Sequence, residues 1–136
     1  MDLAVQMRHD ELQKEIGFLL GEIAWQIYKI KTRLYRTDSR LNLNEIHIMT
    51  DDGLGMLNRV NAVLIKIADF TIQIKKQAVS STKTNNDGIA EFSCMLLLNE
   101  SLALLKDQSQ GLSNLLIRIN STAEMDAQEC KEITVH

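Results

Sequence analysis

Apolar residues return along this chain at alternating intervals of three and four. The first series is Ile16, Leu20, Ile23, Ile27, Ile30 and Leu34. A second run offers Met56, Val60, Val63, Ile67, Phe70 and Ile74. The third is Met95, Leu98, Leu102, Leu105, Leu112, Leu116, Ile119 and Ala123, with Ser109 filling one slot. Such spacing gathers each set into a stripe on one side of an α-helix, and long stripes pack side by side at small crossing angles. The pattern predicts three long helices, over about 2–36, 51–79 and 88–128. They would form an all-α antiparallel bundle with coiled-coil-like packing, in a single domain spanning 1–136. The absence of proline suits helices of that length.

Two stretches interrupt the rhythm. "VSSTKTNNDG", Val79–Gly88, is polar and turn-rich and reads as a flexible linker over 80–87. Further upstream, Leu41, Leu43, Ile46 and Ile48 nearly alternate with polar residues. A lone strand has nothing in this chain to pair with, so residues 37–50 read as a loop with an apolar anchor. Thr50, Asp51 and Asp52 then offer N-cap chemistry for the second helix. Gly53 and Gly55 read as a flexible helix start; no Gly-Lys-Ser/Thr follows, as a phosphate loop would need.

The first helix carries more apolar surface than one seam requires. With Ile16 at heptad position d and Leu20 at a, Phe18 and Trp25 fall at f, and Tyr28 and Tyr35 at b. Phe18, Gly21, Trp25, Tyr28, Thr32 and Tyr35 form a second stripe that holds four of the chain's six aromatic residues. Gly17 and Gly21 form a small-xxx-small pair that would let another backbone come close. Two readings stay open: a second core face between neighbours of the same chain, or an interface with another chain. In a three-helix bundle the contacts of one helix lie on adjacent faces, whereas this stripe lies opposite the seam. Exposed aromatic patches rarely persist on monomers, and Trp and Tyr serve as interface anchors. Burying such rings is worth several kcal/mol at roughly 25 cal/mol per Å².

The third helix repeats the excess. Leu96, Leu97, Leu104, Leu115 and Ile117 leave little polar surface between Phe92 and Ile119, which calls for cover on more than two sides. Leu97 and Leu104 therefore join Phe18, Gly21, Trp25, Tyr28 and Tyr35 as candidate interface residues. Gly111, in mid-helix, is expected to mark a bend or a close crossing.

Composition narrows the classes. A chain of 136 residues, 45% hydrophobic and 24% charged, is globular in character. Its net charge of -3 provides no global field toward nucleic acid or a membrane. No apolar run approaches the roughly 18 residues of a membrane span. "MDLAVQMRHDELQKE" is charged too early to resemble a signal peptide. Cys94 and Cys130 read as reduced thiols of a cytoplasmic chain, with a single disulfide as the alternative.

Catalytic and metal-binding patterns are lacking. A helical di-metal site wants Glu from two helices and Glu-x-x-His from two more. The histidines here are His9, His47 and His136, and Glu45 stands at the wrong distance from His47, so all three read as surface or loop residues. Neither cysteine has a sequence-local base. No enzymatic activity, cofactor, metal or small-molecule substrate is expected.

One charged segment supports a second reading. Lys29, Lys31, Arg33 and Arg36, followed by Arg40, are interleaved with Tyr28 and Tyr35 and could contact nucleic acid or an anionic surface. More simply, cations at a helix C-terminus complement its dipole, as Lys75 and Lys76 would on the second helix. Glu124, Asp126, Glu129 and Glu132 near the C-terminus could also pair with them. The sequence points to a non-enzymatic interaction module: an adaptor, an assembly component or a small chaperone-like protein. It would dock amphipathic helices on the aromatic stripe, with another protein or a second copy as partner and a homo-oligomer expected.

Overall fold

The computed structural model describes residues 3–36, 40–80 and 85–135, with side chains over 3–36, 40–76 and 93–122. It is all-α, with three helices: α1 (Leu3–Leu34), α2 (Leu43–Ser80) and α3 (Asn85–Val135). All three pack against one another. Side-chain pairs fix their directions. Glu15 meets Lys66, Glu22 meets Arg59 and Arg33 meets Glu45, so numbers rise along α1 as they fall along α2. Thr50 meets Asn120 and Gly53 meets Leu116, which makes α2 and α3 antiparallel as well. Gln13 faces Ser101 and Ile27 faces Gly111, so α1 and α3 run parallel. The bundle goes up, down and up.

Each helix buries one line of residues. On α1 it is Val5, His9, Leu12, Ile16, Leu19, Ile23 and Ile30. On α2, Met56, Val60, Val63, Ile67, Phe70 and Ile74 are all buried, as the spacing predicts. On α3 the fully enclosed residues are Leu105, Leu112 and Ile119, with Leu98 and Leu116 nearly so. Met95 and Leu102, expected on that seam, are only partly buried, and Ser101 and Gln108 take inward-facing positions beside them.

The structure shifts the phase of α1 by one position. Leu19, not Leu20, joins Ile16 and Ile23 in the core; Leu20, Ile27 and Leu34 are partly buried along its flank. Ile16 therefore stands at a and Leu19 at d, which moves Phe18 and Trp25 to c and Tyr28 and Tyr35 to f. The aromatic stripe still points outward, but its Phe18–Trp25 edge lies toward α2.

The expected loop over 37–50 is shorter than the sequence suggests, because α2 begins at Leu43. Its cap is Asn42, not the Thr50–Asp52 cluster. The Glu45 backbone N–H donates to Asn42 Oδ1 at 2.8 Å, and the Asn42 side-chain Nδ2 donates to Glu45 Oε1 at 3.0 Å. This reciprocal Asn-x-x-Glu pairing satisfies a helix-end donor that would otherwise lack a partner. Of the four near-alternating residues, Ile46 is buried and Leu41 packs on the core, while Leu43 and Ile48 stay exposed. The expected linker over 80–87 is narrower too: Ser80 and Asn85–Asp87 are helical, and residues 81–84 lie outside the described ones.

Gly53 and Gly55 lie inside α2, with different surroundings. A Cβ on Gly53 would stand 2.7 Å from Leu116 Cδ1, so the close helix crossing is here. Gly111 has only an ordinary neighbour, Ile27 Cδ1 at 3.9 Å, and α3 runs through it as one helix.

Candidate interaction surface

The α1–α2 junction is charged where it meets solvent. Glu15 accepts from Lys66 Nζ at 2.9 Å, and Glu22 pairs with Arg59. Arg59 also lies over the Phe18 ring, its Cζ 5.6 Å from the centroid. One α2 side chain thus bridges an acid and an aromatic residue of α1 and fixes where the Phe18 face begins. Beyond it, Trp25 and Tyr28 stack at 5.6 Å with planes 20° apart, and Lys29 Nζ lies 5.8 Å from the Trp25 centroid. An open groove of about 490 Å³ runs beside Trp25, with Asp51, Asp52, Gly55 and Met56 on its α2 side.

These rings face solvent. Phe18 is 59% exposed, Trp25 58%, Tyr28 60% and Tyr35 67%. Gly17 and Gly21, on the same outward side, have nothing within 4 Å of where a Cβ would stand. The stripe is therefore no part of this chain's described core. Leu97 and Leu104 are also exposed, on α3, as are Leu96 and Ile117. Parallel packing of α3 on α1 puts Leu104 near the level of Gly17 and Leu20, on the side of α1 away from Phe18. The seven candidate interface residues thus lie on two helices, five along α1 and two on α3.

The basic segment is partly engaged. Arg33 donates through Nε and Nη2 to the two oxygens of Glu45, the latter at 2.9 Å, and Nη2 also reaches the Arg40 carbonyl at 3.0 Å. This two-pronged bond ties the end of α1 to the start of α2. It also holds the Glu45 carboxyl below its ordinary 4.5, against partial burial, with help from the Arg33 charge, Asn42 and the charge of Arg36. Arg33 is thus a structural clasp. Lys29 lies against Trp25, while Lys31, Arg36 and Arg40 are exposed. The side chains of Glu124, Asp126, Glu129 and Glu132, proposed as their partners, lie outside the described ones.

His9, read as a surface residue, is buried in the core line of α1 at 6% exposure. Its Nδ1 lies 3.4 Å from Asp10 Oδ1, and its Nε2 has no hydrogen-bond partner among the described residues. The signal for this was present: Val5, His9, Leu12 and Ile16 keep the spacing of a seam. His47 is exposed. The Cys94 side chain is buried; the Cys130 side chain lies outside the described ones. Among the described residues, no group of three or more His, Cys, Asp or Glu side chains is arranged to hold a metal ion. No described helix is long and apolar enough to cross a membrane.

No protein-family model, no curated protein and no solved structure matches this chain.

Proposed function

We propose that this protein is a helical protein–protein interaction module whose docking surface is the outward face of α1. The observation that carries this reading is the exposure of Phe18, Trp25, Tyr28 and Tyr35 along one helix, outside its buried core line. Aromatic residues supply large contact area for little conformational entropy, and an amphipathic helix laid along such a stripe would bury it. Arg59 and Lys29 hold Phe18 and Trp25 in place by cation–π contact, so part of the ordering cost is met before a partner arrives. The module acts by packing, without catalysis or cofactor, as an adaptor, an assembly component or a small chaperone-like protein. The alternative, anion binding at the basic end of α1, has less support: Arg33 is matched to Glu45, and Asp51 and Asp52 flank the groove at Trp25.

Photo-crosslinking in the source cells tests the docking reading. A benzophenone side chain in place of Tyr28 should yield protein adducts, whereas the same group in place of exposed Asn61 on α2 should not. Equal labelling at both positions, or none at position 28, counts against it.

A further inference from the structure

The outward face of α1 is complementary to itself when a second copy is laid across it head to tail. From this we infer that the partner on that face is another copy of this chain, in an antiparallel α1–α1 contact centred on Gly21. The inference rests on the reading of this face as a docking surface.

Two antiparallel helices related by a twofold axis bring together residues at equal distances on either side of the centre. With Gly21 on the axis, Phe18 of one copy lies level with Trp25 of the other, on the same edge of the contact. On the opposite edge Gly17 meets Ala24, so the large side chains share one flank and the small ones the other. Gly17, Gly21 and Ala24 are exposed, and the two glycines leave open space where a Cβ would stand. That absence of bulk permits a close approach of the two backbones.

Charge follows the same symmetry. One turn further out, exposed Lys14 faces the ring of Tyr28, a cation–π pairing. Another turn out, exposed Asp10 lies level with exposed Lys31 on the same edge, giving an opposite-charge pair. At the ends Met7, 57% exposed, faces Tyr35. Twofold symmetry makes each pairing occur twice; Lys29, beside Trp25, comes level with Lys14 on the same edge, a like-charge neighbour that offsets part of this gain. A parallel arrangement of the same face would place Asp10 against Asp10 and Lys31 against Lys31.

The area suffices. An aromatic residue offers on the order of 200 Å², and 58–67% of each of the four is open. Complete burial of the rings of two copies would remove roughly 1,000 Å² from water. Met7, Gly17, Ala24 and Thr32 raise the contact to about the 1,200 Å² at which specific interfaces begin.

Charge reversal tests both partner and register. Asp10→Lys and Lys31→Asp are each expected to weaken the dimer about tenfold at low salt, since two attractive pairs become repulsive. An equimolar mixture of the two variants restores opposite charges at both sites and should associate like the unaltered protein in sedimentation equilibrium. A mixture no tighter than its components overturns the register. An unaltered protein that sediments as a monomer throughout overturns the second copy. Photo-crosslinking from position 28 then separates the two readings. A doubled-mass adduct of this chain supports the inference, and adducts to other proteins alone defeat it while leaving the docking surface intact. No adduct at all defeats both.

Discussion

Two glycines two residues apart in α2 provide an internally controlled test of how closely the helices approach. Gly53 and Gly55 both lie well inside the helix, so replacement by alanine should favour the helical state at either site by about 1 kcal/mol. Their surroundings differ. The Gly55 position has nothing within 4 Å, whereas a Cβ on Gly53 would stand 2.7 and 2.8 Å from the two methyls of Leu116 and 3.2 Å from its Cγ. Leu116 is only 5% exposed and cannot swing into solvent without giving up its burial. Overpacking of that kind costs typically 1–3 kcal/mol. Gly55→Ala should therefore stabilise the fold by about 1 kcal/mol. Gly53→Ala should range from neutral to about 2 kcal/mol destabilising, leaving a gap of roughly 1–3 kcal/mol between them. Urea unfolding followed by circular dichroism, at one fixed protein concentration, measures the gap directly. A further variant checks the cause: in a Leu116→Ala background the penalty at Gly53 should vanish, a coupling expected of residues in contact. If both single variants gain equally, α2 and α3 do not approach at Gly53 and the α2–α3 register is wrong.

Other consequences are simpler to state. Ile23→Ala, at a fully enclosed site, should cost about 2–5 kcal/mol in the same unfolding assay. His9→Leu should stabilise by roughly 1–3 kcal/mol, because it removes from an otherwise apolar line a buried nitrogen that has no partner among the described residues. Glu45→Gln should lower stability at neutral pH. The Glu45 carboxyl is held below 4.5, so its contribution is present above that value and fades as pH falls through the lowered one. The gap between unaltered protein and variant should therefore close in acid; a gap independent of pH would mean the Arg33 clasp is absent.

Much of the fold could be read from spacing, because α2 presents a single unbroken 3-and-4 series from Met56 to Ile74. The phase of α1 was harder. Leu19 and Leu20 are both apolar, and either continues the line from Ile16 to Ile23. Gln26 and Arg33 stand where the true line continues, so the neighbouring Ile27 and Leu34 drew the reading onto the flank. On α3 the same happened, where Ser101 and Gln108 interrupt the buried line and Met95 and Leu102 do not. The start of α2 is hidden in the sequence because Leu41, Leu43, Ile46 and Ile48 mimic the period of a strand. Asn42-Leu43-Asn44-Glu45 carried the opposing signal of a capping box, and Arg33, distant in sequence, completes it. The aromatic face was visible from composition and period alone, since nothing in this chain had to cover it.

The central claim is that the outward rings of α1 join two copies and are not core. Light scattering on a size-exclusion column, across roughly a hundredfold range of concentration, decides this for the unaltered protein and for Trp25→Gln/Tyr28→Gln together. The unaltered protein should elute with twice the 15.4 kDa chain mass. The double variant should elute with the single chain mass and unchanged helicity. An unaltered protein that remains at 15.4 kDa, or a double variant that unfolds, would contradict the claim.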